Sequence, residues 1–179
     1  RPASRAERAA APLPDAVPPP ARAGHAVLVG FGRVGTTVGA ALASLGLPVV
    51  VVERDRRAGD AAVALGLDVI YGDAARPGVL AATQLATAGL LVVCAPEAFH
   101  ARQIVRLARA ANPALPIVVR THGEAERVDL EALGVRRAML GERELAYAMA
   151  HEAAMAMGRS DDEADLVVAA LRAAPSGAS

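Results

Sequence analysis

One short glycine-rich segment constrains the fold of this chain more than any other feature. It reads Gly30, Phe31, Gly32, Arg33, Val34 and Gly35. An apolar run precedes it and an uncharged stretch with helical spacing follows it, which is the setting of a strand–turn–helix unit. There the first glycine permits a tight turn, the second leaves room for an approaching pyrophosphate, and the third lets helix and strand pack closely. The segment therefore predicts a nucleotide-binding turn.

Short Val-rich runs alternate with stretches of helical spacing along most of the chain. The predicted strands are 26–30, 48–53, 68–71, 90–94, 116–120 and 135–139. The predicted helices are 33–45, 56–65, 77–86, 97–111, 124–132 and 142–157. Apolar strands between helices are typical of a sheet covered on both faces. We expect an α/β fold: a Rossmann-like, doubly wound, parallel six-stranded sheet in the order 3-2-1-4-5-6, with a C-terminal crossover helix.

Composition divides the chain into three parts. Residues 1–24 are rich in Pro and Ala and predict a disordered linker. Residues 25–158 form the predicted nucleotide-binding domain, and residues 159–179 form an acidic, Ala-rich tail that is helix-tending or disordered. No second large domain follows the sheet, although hydride-transferring enzymes of this fold usually carry a substrate-binding region. The start at Arg1 favours a piece of a longer protein.

Charge and residue types argue against several classes of function. The formal net charge is +0 and all 19 basic residues are arginine, so we predict no nucleic-acid partner. Cys94 is the single cysteine, which excludes an intrachain disulfide framework. The four histidines are scattered and no Ser/His/Asp or Cys/His set is present, so neither a catalytic nor a metal site is predicted.

Residues that follow the first two strands are the first candidates for ligand contacts, because ligands of such sheets lie beyond the carboxyl ends of the strands. Glu53 ends the second strand, where a carboxylate can accept hydrogen bonds from ribose hydroxyls. This favours an unphosphorylated ribose, although Arg54, Arg56 and Arg57 could compensate in an NADP-like mode. Arg33 opens the first helix and is best tolerated there beside a phosphate or a second anion.

The later strands supply a second group of candidates. Asp73 and Ala74 follow the third strand, where Asp73 can cap the next helix, face the adenine side of the site, or do both. Ala95 follows the fourth strand with a small side chain, and Arg120 ends the fifth. His122 lies two residues further on and projects toward the same edge as Arg120 if the strand boundary holds.

Methionine is confined to the C-terminal part of the domain. The four are Met139, Met149, Met155 and Met157. Because methionine side chains adapt to partner surfaces, the last helix is a candidate homodimer contact. Packing of this helix on its own sheet is nearly as well supported.

Several segments together resemble the RCK N-terminal domain, also called TrkA-N or KTN, over residues 25–158. They are the glycine segment, Glu53-Arg54-Asp55, Tyr71-Gly72-Asp73-Ala74, Ile117-Val118-Val119-Arg120 and Gly141-Glu142-Arg143-Glu144-Leu145-Ala146. The last segment is similar to bacterial monovalent cation:proton antiporters of the Kef and YbaL type (CPA2 family).

This resemblance implies a regulatory domain rather than an enzyme. Such domains dimerise, bind an adenine nucleotide such as AMP, ATP or NAD(H), and gate a potassium or other monovalent cation:proton antiporter. The membrane antiporter domain would belong to the same chain, with this domain on the cytoplasmic side of a bacterial inner membrane. Two alternatives stay open: a small NAD(P)-dependent oxidoreductase domain, and a separate soluble nucleotide-sensing subunit of a potassium transporter.

The resemblance also assigns roles by position. Gly30, Gly32, Arg33 and Gly35 would hold phosphate, Glu53 the ribose, and Asp73 with Ala74 the adenosine side. The rest of the predicted set consists of Phe31, Val34, Arg54, Ala95 and Arg120. His122 stands where glutathione-gated members carry a basic residue, which argues against glutathione gating.

Overall fold

A six-stranded, all-parallel sheet forms the centre of the molecule. The computed structural model describes residues 21–94 and 98–174, with only the backbone at 98 and 99. The strands are β1 (Ala26–Val29), β2 (Val49–Glu53), β3 (Asp68–Tyr71), β4 (Leu90–Val93), β5 (Ile117–Thr121) and β6 (Arg137–Leu140). Their spatial order is β3-β2-β1-β4-β5-β6, which confirms the predicted doubly wound topology.

Seven α-helices connect or follow these strands in the described part of the chain. They are α1 (Arg33–Ser44), α2 (Arg56–Ala64), α3 (Pro77–Ala81), α4 (Ala98–Ala111), α5 (Glu124–Ala132), α6 (Gly141–Ala156) and α7 (Asp161–Ala173). One predicted helix, 77–86, is wrong in its length. Gln84 adopts a left-handed conformation with φ 58, and the Thr83 hydroxyl donates to the carbonyl of Leu80. The chain therefore leaves α3 and continues as a 3₁₀ turn over Leu85–Thr87.

The apolar strands separate two core clusters. Val27 and Val29 of β1 pack into the larger cluster together with residues of α4 such as Ile104. Leu28, which points to the opposite face, packs with Phe31 in the smaller cluster. Because successive side chains of a strand alternate between faces, β1 contributes to both clusters and is buried along its whole length. This central strand fixes the position of the glycine segment that follows it.

The residues that enter the sheet are held by polar contacts. Arg22 forms a salt bridge of 2.7 Å with Asp68, and its backbone N–H donates to the side-chain carbonyl of Gln84 at 2.9 Å. The N–H of Gly24 donates to the carbonyl of Thr87. Most of the predicted linker, residues 1–20, lies outside the described residues. Its last residues belong structurally to the sheet domain.

The C-terminal part of the chain forms a helical hairpin. α6 follows β6 directly, and α7 packs on α6. Ser160 caps α7 by accepting a hydrogen bond from the N–H of Glu163, whose side chain accepts from Ser160 in return. Ala164 is the one buried residue of α7, and α6 has none. Among the described residues, no helix is long and apolar enough to cross a bilayer.

Candidate functional site

The glycine segment forms a turn whose geometry depends on the absence of side chains. Gly30 has a φ of 88, which suits glycine. A Cβ on Gly35 would lie 1.9 Å from the carbonyl oxygen of Gly30, so only glycine lets α1 approach the strand. A Cβ on Gly32 would meet no atom within 4 Å. The space beside Gly32 is therefore open on the side where a ligand can reach the backbone.

The amino terminus of α1 offers positive potential to this space. Gly32 is the N-cap residue, and no side chain caps the helix. No acidic residue lies in the first turn, and Arg33 is exposed there. The first N–H groups of a helix have no intrahelical acceptor and carry the positive end of the helix dipole. The turn is therefore suited to an anion such as a phosphate.

Backbone N–H groups hold the Glu53 carboxylate beside the glycine turn. One carboxylate oxygen accepts from the N–H of Phe31 at 2.6 Å. The other accepts from the N–H groups of Arg54 at 2.6 Å and Asp55 at 2.8 Å. A carboxylate can accept about four hydrogen bonds, so Glu53 retains capacity for a further donor such as a hydroxyl. The three bonds fix its position and orientation.

Asp73 lies at the end of β3 and does not cap the next helix. The N-cap of α3 is Arg76, with Pro77 following. One carboxylate oxygen of Asp73 accepts from the N–H of Ala75 at 2.9 Å, which closes a local turn. The capping role considered for Asp73 is therefore wrong, because the turn over residues 73–76 delays the start of the helix. The carboxylate remains half-buried in the cavity wall.

These elements enclose a cavity of about 410 Å³ at the carboxyl ends of β1, β2 and β4. Ten of the twelve predicted site residues line it: Gly30, Gly32, Arg33, Val34, Gly35, Glu53, Arg54, Asp73, Ala74 and Arg120. The Phe31 side chain does not, because it is buried in the core against Gly39; its backbone N–H reaches Glu53 instead. Ala95 lies outside the described residues.

Sequence reasoning missed several residues of this cavity. Cys94, His100 and Ile104 also line it. Burial raises the pKa of the Cys94 thiol to about 11, partly opposed by the positive charge of Arg120. Cys94 directly follows β4, so its place at the strand end was a usable signal. His100 and Ile104 lie inside α4, and only the direction in which α4 leaves the sheet brings them to the cavity.

A second cavity, of about 360 Å³, continues the crevice toward α6. It shares Val34 and Arg120 with the first cavity, and its wall includes Thr121, Gly141 and Leu145. The Thr121 side chain is 1% exposed, and its hydroxyl oxygen has no hydrogen-bond partner among the described residues. The start of α6 therefore borders the same crevice as the glycine turn.

Comparison with known proteins identifies relatives of this fold and sequence. The TrkA-N domain family matches residues 26–140. The putative cation/proton antiporter YbaL of Escherichia coli (strain K12) is 35% identical over 125 residues, which are 70% of this chain and 22% of YbaL. The putative K(+) efflux antiporter KefB of Alkalimonas amylolytica is 34% identical over 110 residues, 62% of this chain and 17% of KefB. The chain thus spans about a fifth of the length of these curated relatives.

Solved structures show the same architecture. The crystal structure of the TrkA-N domain of the Escherichia coli inner membrane protein YbaL has a TM-score of 0.68 and 34% sequence identity, covering 72% of this chain and 95% of that one. The Shewanella denitrificans Kef CTD in its AMP-bound form has a TM-score of 0.71 and 28% identity, covering 83% and 90%.

Proposed function

Because the chain belongs to the TrkA-N domain family, we propose that it is a regulatory domain that binds an adenine nucleotide and gates a monovalent cation:proton antiporter. The observation that carries this proposal is the cavity of about 410 Å³, which is lined by the glycine turn, Glu53 and Asp73 together. Its volume lies within the range of small-molecule sites, roughly 300 to 1,000 Å³. AMP, ATP and NAD(H) are the candidate ligands.

The phosphate of the nucleotide would lie against the glycine turn. Open space beside Gly32 gives it access to the uncapped N–H groups of α1, and Arg33 supplies a formal positive charge nearby. Together these groups offer hydrogen bonds and charge to an anion without any acidic side chain in the first turn of α1. The phosphate would then lie between β1 and β4, which is the switch point of the sheet.

The ribose and adenine would extend from this phosphate toward β2 and β3. Glu53 is held by three N–H groups and has acceptor capacity for a ribose hydroxyl. Its negative charge disfavours a 2′-phosphate, which supports AMP, ATP or NAD(H) over NADP(H). Asp73 and Ala74 would border the adenosine side.

The proposed regulatory role rests on the relatives and on the position of α6. The two curated relatives are putative antiporters, and the AMP-bound Kef CTD shares this fold. We infer a membrane antiporter domain as partner, with this domain on the cytoplasmic side of a bacterial inner membrane. The nucleotide would act as an effector rather than as a substrate.

Dimerisation through α6 would connect nucleotide binding to gating. Leu145 and Met149, one turn apart on α6, are 62% and 64% exposed, and Leu145 also borders the second cavity. A second copy of the chain could cover this apolar surface. A nucleotide can then bias gating by its different affinity for two arrangements of the dimer.

Isothermal titration calorimetry with AMP, ATP, NAD⁺, NADH and NADPH tests the nucleotide site. We expect AMP or ATP to bind comparably to the dinucleotides, and Glu53→Ala and Asp73→Ala to abolish this binding. Asp162→Ala, which removes an exposed acid of α7, serves as the control and should bind as the parent does. Binding restricted to a nicotinamide cofactor would contradict the proposal and favour a redox protein.

Sedimentation measurements with and without nucleotide test the dimer. We expect the parent chain to dimerise and Met149→Glu to shift it to the monomer, because a charge would enter an apolar contact. Val63→Glu changes a similarly exposed apolar residue of α2 and should leave the dimer intact. A parent chain that remains monomeric at high concentration under both conditions would contradict dimerisation through α6.

A further inference from the structure

Three side chains of metal-binding type converge between α6 and α7. His151 belongs to α6, and Asp161 and Asp165 belong to α7. The Nε2 atom of His151 lies 3.2 Å from a carboxylate oxygen of Asp161 and 3.4 Å from one of Asp165. One ligand atom from each residue lies within 4.8 Å of the other two. No residue of this group lines either cavity of the crevice.

Both of these spacings fit ligands around one ion. Both distances exceed the length of about 2.7 to 2.9 Å that is typical of charge-assisted N–H···O hydrogen bonds. Zinc bonds to nitrogen and oxygen of about 2.0 to 2.2 Å place two tetrahedral ligands about 3.3 to 3.6 Å apart. The nitrogen thus lies at a distance from each of the two oxygens that two ligands of one ion would have.

Charge balance at the group also favours a cation. Nε2 of His151 carries at most one proton, yet two carboxylates face it. A third carboxylate, from Glu152, lies 4.0 Å from Nδ1 of the same ring. The three carboxylates therefore outnumber the single positive charge that the imidazole can carry when it is protonated.

We infer that His151, Asp161 and Asp165 bind a divalent transition-metal ion of the zinc class, with water completing its coordination. Imidazole nitrogen suits such ions better than Mg²⁺ or Ca²⁺, which prefer oxygen ligands. The half-buried imidazole supplies the fixed ligand, and the two exposed aspartates leave a solvent path for the ion. This inference does not depend on the nucleotide site.

The ion would join the two helices of the hairpin. Asp161 is the first residue of α7 and Asp165 lies one turn later on the same face, opposite His151 of α6. Bound metal therefore reduces the freedom of the turn over residues 157–160. Sequence reasoning predicted no metal site, because these ligands are separated by a helix reversal and match no short ligand spacing.

Cobalt(II) titration of the full 179-residue chain, freed of any affinity tag, tests the site. We expect one equivalent to bind with the visible absorption of tetrahedral Co²⁺, and Zn²⁺ to displace it. His151→Ala and Asp165→Asn should each lose this absorption. The controls His122→Ala and Asp162→Asn change an exposed histidine and a neighbouring acid and should retain it.

Two results would overturn the inference. One is the absence of stoichiometric Co²⁺ and Zn²⁺ binding to the parent chain in equilibrium dialysis. The other is unchanged binding by His151→Ala and Asp165→Asn. The Asp165 side chain is 74% exposed, so Asp165→Asn should keep the fold, and circular dichroism of both variants verifies it. Zn²⁺ should also slow amide hydrogen exchange in α6 and α7 of the parent chain but not of Asp165→Asn.

Discussion

The glycine turn and the α6–α7 hairpin are stabilised by different kinds of contact. At the turn, backbone meets backbone: Gly35 packs on the carbonyl of Gly30, and N–H groups fix Glu53. In the hairpin, side chains on or near the surface make the contacts, such as the 2.7 Å salt bridge from Arg172 to Glu144. Contacts of the second kind are weak and break locally. We therefore expect the glycine turn to be more rigid than the hairpin.

This difference suits the proposed regulatory role. A rigid site fixes which ligand binds, and an element with few buried contacts can change its arrangement at a small cost in free energy. The two regions meet at the second cavity, whose wall joins Val34 of α1 to Leu145 of α6. Five predictions test the comparison, in order of decreasing effect.

Substitution of Gly35 by Ala should produce the largest loss. Its Cβ would lie 1.9 Å from the carbonyl oxygen of Gly30, so α1 must shift away from β1 at a cost of about 3 kcal/mol in the free energy of unfolding. Gly78→Ala is the matched control, because a Cβ there meets nothing within 4 Å. Urea denaturation measures the free energy of unfolding of both variants. A Gly35→Ala chain as stable as the parent would contradict the rigid turn.

The reactivity of Cys94, which lines the first cavity, measures how accessible that cavity is. Burial raises the pKa of its thiol from 9.0 to about 11, so the native thiolate at neutral pH is about a hundredfold scarcer than that of an ordinary thiol. We expect alkylation by iodoacetamide to be slower by a similar factor and to accelerate as the pH approaches 11. Reaction at the rate of the unfolded chain would show that the crevice opens readily.

The raised pKa of the Cys94 thiol also makes the stability of the protein depend on pH. The unfolded thiol ionises first as the pH rises, so the contribution of Cys94 to stability is complete below pH 9 and is lost between pH 9 and about 11. Cys94→Ala should remove this part of the pH dependence in denaturation curves. An unchanged dependence would contradict the assignment to Cys94.

Arg109 of α4 stabilises the main body of the domain through hydrogen bonds to backbone carbonyls. Its guanidinium donates to the carbonyls of Leu115 at 2.6 Å, Pro113 at 3.2 Å and Leu133 at 3.4 Å. Arg109→Met keeps the aliphatic part of the side chain and should lower the free energy of unfolding by about 2 kcal/mol. Arg106→Met, on the exposed side of α4, should change it by less than about 0.5 kcal/mol. Equal melting temperatures of the two variants would contradict the role of Arg109.

The salt bridge of the hairpin should give the smallest effect. Glu144→Gln breaks the pair with Arg172 and should cost less than about 1 kcal/mol. Its expected consequence is local, namely faster amide hydrogen exchange in α7 with an unchanged rate in β1. Glu142→Gln, on the exposed side of the same turn, is the control. Faster exchange throughout the sheet would show that the hairpin and the sheet unfold together.

Local patterns in the sequence were sufficient to predict the sheet. Strand order followed from the alternation of apolar runs and helices, and the steric demands of Gly30 and Gly35 explain why the glycine segment was informative. Gln84 was not recognised as a break in helix 77–86, because a left-handed glutamine has no strong sequence signal. Asp73 was open to two interpretations, since an aspartate favours both helix caps and turns.

Contacts between residues that meet only through tertiary structure could not be predicted from the sequence. His100 reaches the cavity because of the direction in which α4 leaves the sheet. His151 meets Asp161 and Asp165 because α7 folds back on α6. Composition placed Asp161 and Asp165 in a helix-tending or disordered tail, and it gave no information about which face α7 would turn toward α6.

The affinity of AMP for the Gly32→Ala chain tests the central claim most directly. A Cβ on Gly32 meets no protein atom within 4 Å, so the variant should fold and melt as the parent does. The same methyl group would occupy the space proposed for the phosphate. We predict that AMP binds the parent chain and that Gly32→Ala weakens this binding at least about tenfold, which is 1.4 kcal/mol. Equal affinity in the two chains would show that the nucleotide does not lie against the glycine turn.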